Sequence, residues 1–184
     1  MSFRKDYLIY IGRFQPFHLG HKYVVEKGLS IGEKIIILCG SSNKKMDILN
    51  PWTYDERKII INESFDNEVR ERLIIDYVPD FADDSSWINY IKNKVNILTD
   101  NNKNIGLIGH YKDSSSYYMN MFLDWECIEV ENFKDINATD VREILFQNKK
   151  DVRENLKNML PEKILDYIIE SANGIIGRMP VDRS

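Results

Sequence analysis

Apolar residues occur in short dense runs, separated by longer stretches in which apolar and polar positions recur with helical spacing. The dense runs are Tyr7 to Ile11, Lys34 to Cys39, Leu73 to Val78, Ile105 to Ile108 and Cys127 to Val130. Most are rich in Ile, Leu or Val and show little polar alternation, the pattern of parallel strands covered on both faces. The intervening stretches predict helices over Gly20 to Ser30, Tyr54 to Phe65, Ser86 to Leu98 and Ser114 to Phe122, with Thr53 and Glu56 placed as a capping box for the second. Strand and helix in alternation imply right-handed crossovers and an α/β fold built on an open parallel sheet with helices on both faces. After Val130 the pattern turns helical, with helices expected over Thr139 to Phe146, Asp151 to Met159 and Glu162 to Ser171. Pro161 opens the last of these and Gly174 is placed to close it. One domain over residues 1–174 is expected, the helices from about 139 packing on it, with 175–184 as a tail or linker.

Composition narrows the class. A chain of 184 residues, 43% hydrophobic and 29% charged, suits one well-filled globular domain. Its longest apolar runs fall far short of the roughly 20 residues of a membrane span. Arg4, Lys5 and Asp6 lead straight into a strand rather than into a signal segment. A cytoplasmic protein without membrane contact is expected. Cys39 and Cys127 lie in apolar, strand-like surroundings without ligand spacing, and both are expected to be small buried hydrophobes. A net charge of −4 offers no basic face for nucleic acid. A nucleotide substrate, needing only a few local cations, stays open.

The candidate chemistry sits where the first strand ends and the first helix begins, in Gly12-Arg13-Phe14-Gln15-Pro16-Phe17-His18-Leu19-Gly20-His21. Ligands of open α/β sheets bind at the carboxyl ends of strands near the topological switch point. A helix N-terminus favours an anion there. His18 and His21 flank that helix start at a spacing that lets both imidazoles converge on one group, and Gly20 is expected to let the backbone approach a ligand closely. With Arg13 they are donors suited to phosphate oxygens. No Ser, Cys or Thr is paired with a base for covalent catalysis, so the set suits direct phosphoryl or nucleotidyl transfer. Taken alone, the two histidines also read as exposed loop and cap residues. His110 is the one further histidine, too few for a zinc set.

His18, Gly20 and His21 resemble the His-x-Gly-His signature of a nucleotidyltransferase superfamily, and the longer string from Gly12 to His21 resembles the archaeal type of nicotinamide-nucleotide adenylyltransferase. The same type forms the N-terminal half of bacterial proteins fused to a Nudix hydrolase. Phosphopantetheine adenylyltransferases and glycerol-phosphate cytidylyltransferases typically carry Phe-Asp where this chain has Phe14-Gln15. Further matches are Gly40-Ser41-Ser42, Asn50-Pro51-Trp52-Thr53 with Glu56-Arg57, Asp80 with Trp87, Gly109-His110-Tyr111-Lys112-Asp113 with Ser115-Ser116-Tyr117-Tyr118, and Ile136-Asn137-Ala138-Thr139-Asp140-Val141-Arg142. Together they run from about Tyr7 to Gly174.

The resemblance implies a Rossmann-like fold, and transfer of AMP from ATP to nicotinamide mononucleotide by direct in-line attack, giving NAD and pyrophosphate. It implies His18, His21 and Arg142 as catalytic residues. ATP and its phosphates fall to Gly12, Arg13, Phe14, Gln15, Gly20, Gly109, His110, Asn137 and Thr139, and the nicotinamide nucleotide to Gly40, Ser41, Asp80 and Trp87. The Trp87 indole would stack on the cationic pyridinium. Mg2+ is expected to arrive on the ATP phosphates rather than in a protein cage, and a homo-oligomer is expected. Two departures stand out: Asn137 replaces the superfamily's serine, and Leu49 stands where archaeal members have a basic residue, leaving Lys44, Lys45 or Arg57 as substitutes. Lys44, Lys45 and Lys112 read singly as solvated charges, some of which meet the triphosphate. No Nudix signature and no Gly-x-x-x-x-Gly-Lys-Ser/Thr segment occurs, so neither Nudix hydrolysis nor kinase chemistry is expected. The alternatives are transfer to nicotinate mononucleotide, phosphopantetheine or glycerol phosphate, and a dinucleotide sensor without turnover.

Overall fold

The structure, a computed structural model, describes residues 3–111, 114–147 and 150–178. Five strands, β1 (Lys5–Gly12), β2 (Gly32–Cys39), β3 (Leu73–Tyr77), β4 (Ile105–Gly109) and β5 (Glu126–Glu129), form one sheet in the order β3-β2-β1-β4-β5. Every neighbouring pair is parallel, with Leu8 opposite both Ile35 and Gly106, Ile37 opposite Ile75, and Ile108 opposite Ile128. The strands alternate their side chains between two apolar layers. Leu8, Tyr10, Ile35, Ile37 and Cys39 pack with α1 (Leu19–Leu29), α2 (Tyr54–Glu63), α5 (Ala138–Phe146), α6 (Val152–Leu156) and α7 (Glu162–Arg178). Ile9, Ile11, Ile36 and Leu38 pack with α4 (Asp84–Leu98) and with Met119 and Phe122 beyond β4. The expected helix-covered open parallel sheet is therefore present. The C-terminal helices share the first of its two cores rather than forming one of their own.

The chain passes from β1 outward to β2 and β3, then crosses to β4 and β5 on the other side. The order thus reverses between β1 and β4, and a crevice opens beyond their carboxyl ends.

Several local expectations are corrected. Ser114 to Phe122 is not an α-helix but a 3-10 segment over Ser114–Asn120. Buried Met119 and Phe122 draw this short segment onto the sheet, and the Tyr118 hydroxyl donates to the Ile11 carbonyl at 3.0 Å. The helix expected over Asp151 to Met159 shrinks to Val152–Leu156, because Asp151 enters it in the left-handed region, φ 55°, and the chain turns again before Pro161. Gly174 does not close α7, which runs on to Arg178: buried Ala172 and Ile175 hold it to the core, and packing outweighs the glycine. One short helix, α3 (Asn67–Arg70), was not anticipated; the Arg70 guanidinium steadies it by donating to the Asn62 and Phe65 carbonyls. Cys39 is buried as expected, and burial pushes its thiol up to about 12. Cys127 is exposed, because β5 is an edge strand and only Ile128 of its four residues turns partly inward. No helix among the described residues is long and apolar enough to cross a membrane.

Candidate active site

A cleft of about 860 Å3 lies beyond the ends of β1 and β4. Its first wall is the β1–α1 connection. Phe14 sits there in the left-handed region, φ 50°, with its ring almost fully buried beneath Gly12. A Cβ on Gly12 would come within 2.8 Å of that ring, so the glycine is required by packing. Left-handed backbone at a bulky residue costs on the order of 1–3 kcal/mol, offset here by the burial of the ring.

His18 is the N-cap of α1. Its Nδ1 accepts from the Gly20 amide at 3.0 Å, and Nδ1 of His21 accepts from the His18 amide at 3.1 Å, a capping box built from two imidazoles. A ring nitrogen that accepts carries no proton, so in both neutral rings the proton resides on Nε2. The rings stack with centroids 3.6 Å apart, and Phe17 stacks on His21 at 5.5 Å. Gly20 has a different part from the one expected. It does not line the cleft, and a Cβ there would lie 2.8 Å from the His18 ring. The glycine makes room for the imidazole that caps its own helix.

Two guanidinium groups meet nearby. Arg142, in the first turns of α5, donates to the Gln15 carbonyl at 2.8 Å and to Thr139 Oγ1 at 3.3 Å. Arg13 donates to Asn50 Oδ1 at 2.6 Å. Burial, then the like charge of Arg13, pull the Arg142 guanidinium below its ordinary range, with Asp47 opposing. The exposed Arg13 and the half-buried Arg142 thus set two charged donors side by side at the start of α1. Asn137 caps α5 through its side chain, which accepts from the Asp140 amide at 2.9 Å. The serine-to-asparagine departure therefore preserves a capping oxygen.

Gln15 and Arg57 turn out to be scaffold. The buried Gln15 amide donates to the Trp52 carbonyl at 2.8 Å and accepts from its amide at 3.0 Å, pinning the Asn50–Trp52 stretch to the β1–α1 connection. Buried Arg57 donates to the carbonyls of Arg13 and Gly40, both at 2.7 Å, tying together the chain just past β1 and β2. Of the three substitutes for the missing cation at Leu49, only Lys44 lines the cleft.

The far end of the cleft follows β2, β3 and the start of α4. Ser41 donates to Asp80 at 2.9 Å, and Lys44 pairs with the same carboxylate at 3.6 Å. Trp87 is half-buried, edge-on to Tyr118 at 5.6 Å. Asp83 caps α4 and Asp84 accepts from the Tyr117 hydroxyl at 2.9 Å. His110 follows β4, its Nδ1 3.1 Å from the Val130 carbonyl. A carbonyl can only accept, so this ring is protonated at Nδ1, the reverse of His18 and His21.

The cleft thus gathers Gly12, Arg13, Phe14, Gln15, His18, His21, Gly40, Ser41, Asp80, Trp87, His110, Asn137, Thr139 and Arg142 of the expected residues, from the segments that follow all five strands. Gly20 and Gly109 do not line it; a Cβ on Gly109 would meet the Met119 side chain at 3.3 Å. Lys112 and Asp113, and the side chains of Ser115 and Ser116, lie outside the described residues. Sequence reasoning missed Tyr10, Ile11, Phe81, Asp83 and Asp84 in the lining. For Asp83 the signal was present, an acid three residues before Ser86 at a helix start. Tyr10 read simply as strand core.

Comparison with known proteins agrees with this geometry. Residues 9–152 match the cytidylyltransferase-like family. A nicotinamide/nicotinic acid mononucleotide adenylyltransferase of Acinetobacter baylyi is 36% identical over 90% of this chain and 86% of its own. A nicotinamide-nucleotide adenylyltransferase of Saccharolobus solfataricus is 28% identical over 88% of this chain and 89% of its own. The crystal structure of a bifunctional NMN adenylyltransferase/ADP ribose pyrophosphatase from Francisella tularensis superposes with a TM-score of 0.79 at 28% identity, over 94% of this chain. Its complex with AMP and a manganese ion gives 0.74 at 26% identity, again over 94% of this chain. This chain spans about half of that bifunctional protein, 53% and 52% in the two structures. On motif, fold and relatives together, the chain belongs to the cytidylyltransferase-like family, among its nicotinamide mononucleotide adenylyltransferases.

Proposed function

We propose that this cleft transfers the adenylyl group of ATP to nicotinamide mononucleotide. An oxygen of the mononucleotide's 5′-phosphate attacks the α-phosphorus in line and forms the new P–O bond. The bond from that phosphorus to the β-phosphate oxygen breaks, and its electron pair leaves with pyrophosphate, giving NAD. The observation that carries the reading is the convergence of two neutral imidazoles, each protonated at Nε2, with two guanidiniums at the start of α1. In this reading His18 and His21 donate to oxygens of the transferring phosphate, while Arg13 and Arg142 hold the charge around them. The N-terminus of α1 adds its dipole, and the first turn of that helix carries no acidic residue to oppose it. Such a site works by positioning and charge stabilisation, without a covalent intermediate. The serine and threonine hydroxyls that line the cleft are otherwise engaged: Ser41 donates to Asp80 and Thr139 accepts from Arg142.

Magnesium is assigned to the ATP. The phosphate end of the cleft offers donors, and no group of three or more His, Cys, Asp or Glu among the described residues could hold a metal. The residues therefore fit an ion carried by the phosphates, where it would neutralise the charge of the triphosphate.

The acceptor's base is assigned to the far end, against Trp87, with Asp80 and Ser41 beside it. The dual name of the Acinetobacter relative makes nicotinate mononucleotide the second acceptor to assay. Trp87→Ala tests the assignment: loss of the indole under a pyridinium is expected to raise the KM for nicotinamide mononucleotide by about tenfold or more, on the scale of a desolvated cation–π contact, with the KM for ATP unchanged. An equal loss toward both substrates would refute it.

A further inference from the structure

The catalytic reading leaves unexplained how an exposed arginine at a loop tip is held ready for a triphosphate. Arg13 is the exposed member of the guanidinium pair, and an unrestrained arginine side chain would lose much rotamer freedom on meeting its ligand. Its partner Asn50 is 93% buried, since only 7% of it is exposed. The Asn50 Oδ1 accepts from Arg13 Nη2 at 2.6 Å, and its Nδ2 donates to Asp47 Oδ1 at 3.1 Å. That second bond fixes which way the amide faces, because a flipped amide would set NH2 against the guanidinium and oxygen against the carboxylate. The same Asp47 oxygen accepts from the backbone amides of Leu49 at 2.8 Å and Asn50 at 2.7 Å. Three donors thus converge on one carboxylate oxygen, so the 47–50 turn and the Asn50 amide are set by a single side chain. Asn50 lies directly before Pro51 and Trp52, whose backbone Gln15 clamps to the connection that carries Arg13. Both ends of the Arg13 contact are therefore anchored to one scaffold.

We propose that Asp47 and Asn50 are positioning residues that orient Arg13 for the triphosphate of the adenylyl donor. The role rests on the assignment of this end of the cleft to ATP. Asp47 itself does not line the cleft. It acts through Asn50, and its negative charge also steadies the Arg13–Arg142 pair while no phosphate is bound, consistent with its opposing the repulsion felt by Arg142. The relay also accounts for a chain without the basic residue at Leu49. One pre-oriented guanidinium takes the place of a second mobile cation, since a held donor loses less entropy on binding.

A double-mutant cycle tests the relay. Binding of a non-hydrolysable ATP analogue with magnesium is measured by calorimetry for the parent, Asn50→Ala, Arg13→Ala and the double variant, with turnover followed separately. Asn50→Ala is expected to weaken analogue binding about tenfold, the scale of one hydrogen bond to a charged group. It should raise the KM for ATP far more than it lowers kcat. In the Arg13→Ala background the same substitution should cost less than about twofold, because the group it orients is gone. Asp47→Ala should repeat the pattern, and Asp47→Glu should restore part of the affinity. Full additivity of Asn50→Ala and Arg13→Ala would overturn the proposal, as would a loss confined to kcat. The calorimetric arm keeps the two readings apart: analogue binding without pyrophosphate release from the parent would sink the function yet leave the relay to be judged on affinity alone.

Discussion

At the scale of single residues, the His-x-Gly-His stretch shows how one local pattern serves folding and chemistry together. The Nδ1 atoms of His18 and His21 close the start of α1, which fixes both rings in the tautomer with Nε2 protonated. Removing a histidine outright would therefore confound two losses. Asn carries an acceptor at a position close to that of Nδ1 but nothing in place of Nε2. His21→Asn is expected to keep the melting temperature near that of the parent while turnover falls about 10²–10³-fold, the scale of losing one oxyanion-type donor. Unchanged turnover would remove His21 from the reaction. The histidines, Arg13 and Arg142 were legible because their chemistry is carried by residue type. The part played by Gly20 was not, because it depends on where the His18 ring lies after folding. Gln15 and Arg57 were equally hidden, since a polar residue that clamps backbone looks in sequence like one that faces a ligand.

At the scale of elements, strands and caps were read well and helix ends less well. Thr53 with Glu56 and Asn137 with the Asp140 amide are caps formed as the residue types dictate. Asp83 caps α4 in the same way, and its hydrogen bonds from the Ser86 amide and hydroxyl hold its carboxyl below the usual range. A depressed folded pKa means that this stabilisation is complete above the ordinary Asp pKa of about 3.9 and is lost as the pH falls through the lower folded value. The difference in melting temperature between the parent and Asp83→Ala should accordingly be largest near neutrality and shrink toward strong acid. A difference independent of pH would contradict the assignment. The misread end of α7 has a physical cause as well: Gly174 signals a stop only where nothing beyond it packs, whereas Ile175 is fully buried. Nothing lies within 4 Å of a Cβ built on Gly174, and no glycine has positive φ. Gly174→Ala is therefore expected to stabilise the protein by about 1 kcal/mol through helix propensity, seen as a higher midpoint in urea, with turnover unchanged.

At the scale of the molecule, the reversal of strand order between β1 and β4 creates the crevice, and the two-sided core holds its walls. Which loops would converge there followed from the alternation of strand and helix. The strand order itself did not, because pairing across the sheet is decided by contacts distant in sequence. The exposure of Cys127 was missed for the same reason, since an edge strand differs from a central one only in what lies beside it. All the residues assigned to phosphate and to base come from connections at one end of this sheet, so their roles stand or fall with the reaction. The decisive measurement is pyrophosphate release from ATP and magnesium, with nicotinamide mononucleotide, nicotinate mononucleotide and phosphopantetheine offered separately. Release with nicotinamide mononucleotide, matched by formation of NAD, is the expected result, and its ratio to nicotinate mononucleotide sets the base preference. Release with phosphopantetheine alone, or with none of the three, would contradict the assignment.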